Sequence, residues 1–193
     1  GWQATLFRCS GQRDFAVGSP VAGRVVPEVE NLVGLFVNTV AIRADLSRAP
    51  ANGAGGGGAG DRGGASSAGD GGEPGFGELL RRTRGRVLRA LSHQEVPFER
   101  LVKELNVARD VSRAPVFQVL FTLQNYSRAR SSWPRGITTG AFGSDTAAAR
   151  FDLSLYVSET GDGLRAMLVY NTDLFDAATV ARLTGHYRAL LRA

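Results

Sequence analysis

The chain has 193 residues, of which 43% are hydrophobic and 21% charged, so it can bury a substantial core as a soluble globular domain. No apolar run approaches the roughly 20 residues that span a bilayer, and the first residues lack the pattern of a signal peptide. We therefore expect a cytoplasmic protein with no membrane partner. Cys9 is the single cysteine, which excludes a disulfide framework and a cysteine metal site.

The net charge of +5 comes almost entirely from arginine, since Lys103 is the only lysine. The densest basic group is Arg81, Arg82, Arg84, Arg86 and Arg89. At helical spacing these residues fall on more than one face, and no nucleic-acid reader motif or aromatic stacking platform accompanies them. We expect a solvated helix surface and no nucleic-acid partner.

The start of the chain predicts one strand and one loop. No capped helix is recognisable in residues 1–15. Residues 14–17 predict a short strand that ends at the Gly-Ser-Pro of 18–20. Residues 21–24 then predict a loop whose small residues let the backbone approach another group closely. One or two helical turns are expected within 27–33.

A second strand is predicted by the alternation of residues 36–43, and it contains one unexpected residue. Asn38 lies on a face that is otherwise apolar. A buried amide must find hydrogen-bond partners. Asn38 is therefore expected either to tie down a neighbouring loop or to line a cavity.

Residues 51–75 consist mainly of Gly, Ala and Ser. Such a segment buries too little apolar area to offset its ordering entropy, so we expect a disordered surface insertion between a strand and a helix. Three of its glycines, Gly55, Gly57 and Gly60, match GxGxxG. In a poly-glycine tract this match predicts no phosphate site, because no helix opens directly after it and no GK[ST] is present.

Two helices are predicted after the insertion. The apolar stripe of the first, residues 76–92, comprises Leu80, Val87, Leu88 and Leu91. On its surface Glu78 can pair with Arg82, four residues away. The second helix follows Pro97, which suits a first helical turn, and its apolar residues recur at helical spacing through 98–105.

A polar corner and a buried strand come next. The corner comprises Arg109, Asp110 and Arg113, which we interpret as a structural network and not as catalysts. Residues 116–123 are nearly all apolar, which is typical of a strand buried on both faces. Residues 127–150 then predict a long irregular connection.

The end of the chain predicts a hairpin and a helix. Residues 151–157 and 164–170 alternate, and the turn at 160–163 joins them. Asp176 caps the last helix. The inward-facing residues of that helix are Val180, Leu183, Tyr187 and Leu190. Together the elements predict an α+β fold in which a mixed sheet is covered by helices on one side.

Several of these stretches, in this order, resemble the core motifs of condensation domains of nonribosomal peptide synthetases. The matching stretches are DFAVGSPVAGR (14–24), LVGLFVNTVAIR (32–43), HQEVPFE (93–99), RDVSRAP (109–115) with FQVLFTLQN after it, FDLSLYVSE (151–159) and YNTDLFDAATVARLTGHYRALL (170–191). Ala114 stands where the family usually has Asn, and Glu95 where it usually has Asp. Both changes are mild.

The resemblance implies a two-layer sandwich lobe like that of chloramphenicol acetyltransferase. It assigns residues 1–193 to the second, C-terminal lobe of a condensation domain, an incomplete domain that carries the insertion at 51–75. Condensation domains form an amide bond between a donor acyl or peptidyl thioester and an acceptor aminoacyl thioester. Both substrates arrive on the phosphopantetheine arms of carrier proteins, so no bound cofactor is expected. The implied partners are the first condensation lobe and peptidyl carrier proteins.

The family signature HHxxxDG belongs to the first lobe and does not occur here, where His93 and His186 are the two histidines. We therefore expect no catalytic residue in this chain and no amide formation in isolation. The resemblance points instead to support of the active site at the lobe interface by Arg24, Asn38, His93 and Gln94. Arg24 would pair with the Asp of the missing motif.

Other interpretations stay open. Arg24 could simply anchor its own loop, and His93 could interact with the terminal carbonyls of the preceding helix. The chain could also be a non-catalytic carrier-protein-binding or docking module derived from such a lobe, or an oligomeric free-standing acyltransferase. The absence of HHxxxDG argues against the last of these.

Overall fold

The computed structural model describes residues 1–46, 75–107, 110, 112–124, 148–161 and 163–192. The elements within these residues are α1 (Trp2–Ser10), β1 (Asp14–Val21), a 3-10 turn (Pro27–Val29), β2 (Asn38–Asp45), α2 (Phe76–Leu91), α3 (Phe98–Glu104), β3 (Val119–Gln124), β4 (Leu153–Thr160), β5 (Gly163–Tyr170) and α4 (Ala177–Arg192). Three predicted features lie wholly or mostly outside the described residues, namely the insertion at 51–75, Arg109 and the connection at 127–150.

Within the described residues, the strands form one mixed sheet in the order β2-β1-β3-β4-β5. β3 pairs in parallel with β1 and β4, while β2 and β5 pair antiparallel at the two edges. The strand predicted to be buried on both faces is therefore the central strand. The predicted hairpin is β4 with β5. Together with the helices, this sheet confirms the α+β class.

One face of the sheet packs against α1, α2 and α4. Val17, Leu155 and Leu183 belong to a core cluster that also contains Trp2. The indole ring of Trp2 meets the ring of Tyr187 edge-on at 5.4 Å, which joins α1 to α4. Aromatic pairs in this geometry contribute beyond the area that they bury. The helix layer thus closes one side of the sheet, as the sequence predicts.

The last helix begins as predicted. The carboxylate of Asp176 accepts a hydrogen bond from the main-chain N–H of Thr179 at 2.6 Å, so it satisfies one of the donors left free at the helix start. Val180 and Leu183 are buried on the inward face.

The expectation that residues 1–15 hold no helix is wrong. α1 occupies Trp2–Ser10 and ends at Gly11, whose φ of 73° is the left-handed conformation common at helix ends. The helix has neither a capping side chain nor an acidic residue in its first turn, so the usual start signals are missing. Tertiary packing stabilises it, since Trp2 and Phe7 are buried.

The first strand also extends further than predicted. β1 continues through Gly18, Ser19 and Pro20 to Val21, and it pairs with β2 along its whole length. Gly and Pro interrupt many strands, but neither ends this one. Gly18 pairs with Ala41 on one side and with Leu120 of β3 on the other. Its missing side chain has a packing role, described below.

The predicted apolar stripe of α2 is largely wrong in orientation. Leu79 is the buried leucine, with 8% of its surface exposed, and it packs with Phe7 and Leu46. Leu80 and Leu88 are 58% and 56% exposed. This helix is apolar on two arcs, and periodicity alone did not identify the arc that packs on the sheet. The surface pair was predicted correctly, since Glu78 accepts from Arg82 Nε at 2.6 Å.

Candidate functional site

A cleft of about 880 Å³ opens on the face of the sheet opposite α1 and α4. Pro20 of β1, Leu120 of β3 and Tyr156 of β4 line it from the sheet. Residues from the loop between β1 and β2, from the start of α3 and from the segment before β3 complete its walls. Segments far apart in the sequence therefore converge on one concave surface, which is typical of a ligand site.

Asn38 fixes one wall of this cleft. Its side-chain N–H groups donate to the main-chain carbonyls of Gln94 and Val96, each at 2.7 Å. Its amide oxygen accepts from the main-chain N–H of Phe98 at 3.2 Å. The amide thus satisfies three backbone groups in the turn between α2 and α3. Asn38 also lines the cleft, so it does both things that its position in an apolar strand predicted.

Arg24 shapes the loop on the opposite rim. Its guanidinium donates to the carbonyl oxygens of Val29 and Glu30, the second at 3.3 Å, and lies over the ring of Phe36 at 4.4 Å. Gly23 has a φ of 66°, and a Cβ there would overlap the main-chain carbonyl of Phe36. Glycine at this position therefore lets the backbone at residue 23 lie close to the backbone of Phe36, as the small residues of 21–24 predicted. Arg24 anchors its own loop beside the cleft.

The structure places the other two predicted support residues in the α2–α3 turn. Gln94 lines the cleft, and its carbonyl is held by Asn38. His93 is exposed, and its main-chain N–H donates to the carbonyl of Ala90 at 3.2 Å. The side chain of His93 is not among the lining residues. The loop of Arg24 thus meets Asn38 and Gln94 at one cleft, while His93 lies just behind the rim.

Three aromatic rings that sequence reasoning missed lie at the base of the cleft. Phe117 lies between Phe98 and Phe151, with ring centroids 5.3 Å away in both cases. The sequence predicts Phe98 in a helix, Phe117 in the strand of 116–123 and Phe151 in the strand that follows the long connection, so no local pattern joins them. The nearly all-apolar run at 116–123 predicts a single strand, but β3 begins only at Val119, and Phe117 lies in the turn before it.

One rim of the cleft continues into an exposed apolar segment, residues 25–37. Its exposed apolar residues are Val25, Val26, Leu32, Val33, Leu35 and Val37. Leu35 has 92% of its surface exposed, although it and Val37 also line the cleft. Exposed apolar residues grouped in one segment beside a cleft are typical of an interaction surface.

The polar corner after α3 is structural. The carboxylate of Asp110 accepts from the main-chain N–H of Ser112 at 2.9 Å and from its hydroxyl at 2.6 Å. These bonds lower the pKa of Asp110 below its ordinary value. The corner is exposed, and it holds the chain as it turns towards β3. Within the described residues, no group of three or more His, Cys, Asp or Glu side chains could hold a metal ion.

Comparison with known proteins identifies the family. The family model described as "Condensation domain" matches residues 1–193. The chain belongs to the condensation domain family. A linear gramicidin synthase of Brevibacillus parabrevis is similar to it, at 42% identity over the whole chain. So is the phosphinothricin tripeptide synthetase PhsB of Streptomyces viridochromogenes, at 40% identity over the whole chain. The resemblance to condensation domains of peptide synthetases is thereby confirmed.

Solved structures confirm the condensation-domain fold. The condensation domain from Monacolin K polyketide synthase MokA superposes with a TM-score of 0.69 at 18% identity, over 98% of this chain and 38% of that one. The X-domain from teicoplanin biosynthesis gives a TM-score of 0.71 at 25% identity, over 94% of this chain and 37% of that one. The chain spans 2% and 14% of the length of the two curated relatives. Among the described residues of this condensation-family chain, no helix has the length and apolarity to cross a membrane.

Proposed function

We propose that this chain is the C-terminal lobe of a nonribosomal peptide synthetase condensation domain and supplies one wall of its amide-forming site. The observation that carries the proposal is the cleft itself. Its rim is fixed by the Asn38 amide and the Arg24 loop, and it continues into the exposed apolar segment at 25–37. A cleft whose rim is apolar and exposed to solvent is what we expect of a lobe that binds a second lobe at this surface, here the first condensation lobe.

The reaction needs an oriented amine, a thioester and exclusion of water. The acceptor nitrogen forms a bond to the thioester carbonyl carbon, the C–S bond breaks, and the donor thiol leaves with a proton. Both substrates are carried on phosphopantetheine arms of peptidyl carrier proteins. The imidazole that handles the amine proton belongs to HHxxxDG of the first lobe, so this chain has no catalytic residue and is inactive by itself.

Four residues of this chain have supporting roles in the proposal. Arg24 pairs with the Asp of the HHxxxDG motif and holds that loop against the cleft, while its remaining donors keep their own loop in shape. Asn38 and Gln94 form the wall that faces the substrates. His93 supports the same turn from behind. The apolar segment at 25–37 is covered by the first lobe, which excludes water from the site.

Reconstitution tests the proposal. The 193-residue chain is mixed with a first lobe carrying HHxxxDG, taken from a condensation domain of the similar linear gramicidin synthase, and with two aminoacyl carrier proteins. Mass spectrometry of the acceptor thioester should detect dipeptide only when both lobes are present. Amide formation by the 193-residue chain alone would contradict the proposal. Tight lobe binding with no dipeptide would favour the non-catalytic docking module.

A further inference from the structure

Phe117 is the most deeply buried residue of the cleft, with 2% of its surface exposed. Its ring is held between Phe98 at the start of α3 and Phe151 just before β4. The rings belong to three separate segments, so the base of the cleft is assembled by tertiary packing. Any apolar group that enters deeply meets this aromatic base.

The ring of Phe117 occupies a space that Gly18 leaves empty. A Cβ at position 18 would overlap the Phe117 ring itself. Gly18 lies on β1 beside Leu120 of β3, on the cleft side of the sheet. A side chain at position 18 and the ring at position 117 are therefore alternative occupants of one space. Because position 18 is glycine, the ring of Phe117 can lie directly against β1.

The backbone before the ring is strained. Val116 has a φ of 71°, which a β-branched residue rarely adopts. The N–H of Phe117 donates to the carbonyl of Pro115 at 2.8 Å, which closes a three-residue turn around Val116. The side-chain amide of Gln118 donates to the carbonyl of Ala114 at 2.9 Å and brackets the same turn. Such a conformation persists only where its surroundings over-determine it, and strained residues of this kind concentrate at functional sites.

We propose that Phe117 is a specificity-determining residue, whose ring forms the base of the cleft and limits the size of the apolar group that a thioester-bound substrate can place there. The inference rests on the proposed function, because it names a property of the substrate at that same site. The limit is adjustable in two directions. Removing the ring deepens the cleft, and adding a methyl group at position 18 lifts the ring towards the mouth.

The test uses the two-lobe complex with alanyl, leucyl and phenylalanyl carrier proteins, each offered in turn as donor and as acceptor. For the substrate that contacts the base, Phe117→Ala should raise the ratio of kcat/KM for phenylalanyl over alanyl at least tenfold, mainly through KM. Phe117→Leu should give a smaller change in the same direction. Gly18→Ala should shift the ratio towards alanyl.

The control is Phe7→Ala, which removes an equally large buried ring from the core between α1 and α2. It should lower stability and leave the substrate ratio unchanged. Equal losses for all three substrates in Phe117→Leu and Gly18→Ala would overturn the inference, even if Phe117→Ala failed to fold. A wild-type complex that forms no amide would instead overturn the proposed function. The two failures are therefore distinguishable.

Discussion

The side-chain amide of Asn38 donates to the main-chain carbonyl of Gln94 at 2.7 Å, across 56 residues of sequence. This bond ties an edge strand of the sheet to the turn between α2 and α3. Since the same amide also serves Val96 and Phe98, one side chain holds a whole wall of the cleft in place.

Replacing Asn38 should therefore lower the free energy of unfolding more than replacing an ordinary surface amide would. Asn38→Ala removes three hydrogen bonds and should lower the free energy of unfolding by about 2 kcal/mol. Asn38→Asp should cost more, about 3 kcal/mol, because its carboxylate would face two carbonyl oxygens with no donor to offer. Urea denaturation measures both. Asn171→Ala is the matched control, since within the part of the chain that the structure describes the Asn171 amide oxygen accepts one local hydrogen bond, from the main-chain N–H of Asp173. An Asn38→Asp variant as stable as the wild type would contradict this assignment.

The contact between Gly18 and Phe117 predicts strong coupling between the two positions. Gly18→Ala should destabilise by about 2 kcal/mol through overpacking, and Phe117→Ala by about 4 kcal/mol through the cavity that it leaves. In the double variant the new methyl group enters the vacated space. The combined loss should be smaller than the sum by at least about 1 kcal/mol. Strictly additive losses in a double-mutant cycle would show that the ring does not lie over Gly18.

Two adjacent leucines test which face of α2 packs on the protein. Leu79→Ala should lower the free energy of unfolding by about 3 kcal/mol, because it empties a site between Phe7 and Leu46. Leu80→Ala should change it by less than about 0.5 kcal/mol, because that side chain is mostly exposed. Thermal unfolding of the two variants shows which leucine is packed against the protein. Equal losses would mean that the helix is rotated relative to the structure.

Asp176 makes stability depend on acid pH. The N–H and hydroxyl of Thr179 bond its carboxylate and lower its pKa below the ordinary aspartate value. A group whose folded pKa is depressed stabilises fully above its unfolded pKa, and that stabilisation is lost as the pH falls through the folded value. The free energy of unfolding should therefore decline below about pH 4. Asp176→Asn keeps the capping oxygen without the charge, so the free energy of unfolding of this variant should decline less steeply below about pH 4. The same decline with pH in the variant and in the wild type would contradict the role of Asp176.

Arg24 tests the proposed lobe interface. In the two-lobe complex, Arg24→Ala should lower kcat/KM for amide formation at least tenfold. Arg24→Lys should restore little of this activity, since an ammonium group lacks the planar guanidinium that donates to several oxygens at once. Arg13→Ala is the control, because Arg13 also lies over a ring, that of Phe7, at 5.2 Å, away from the cleft. Normal activity in Arg24→Ala would limit this arginine to anchoring its own loop.

The sequence predicts best those features that a local pattern determines. The central strand, the hairpin and the Asp176 cap follow from apolar runs, alternation and capping chemistry. Asn38 could be recognised because a polar residue in an apolar strand needs partners. Its partners could not be named, since the turn that it holds lies 56 residues away.

What the sequence could not predict depends on tertiary contacts. α1 has no start signal and is stabilised by burying Trp2 and Phe7. The face of α2 was misassigned because Leu79 and Leu80 are equally apolar, and only packing distinguishes them. The base of the cleft depends on a positive φ at Val116, which no propensity predicts for a β-branched residue.

Hydrogen exchange on the 193-residue chain, with and without the first lobe, tests the central claim most directly. We expect binding to protect amides in residues 25–37 and 114–120, around the cleft, and to leave α4 on the opposite face unchanged. Protection confined to α1 and α4, or none at all with the lobe present in excess, would contradict the claim that this cleft is half of a shared site.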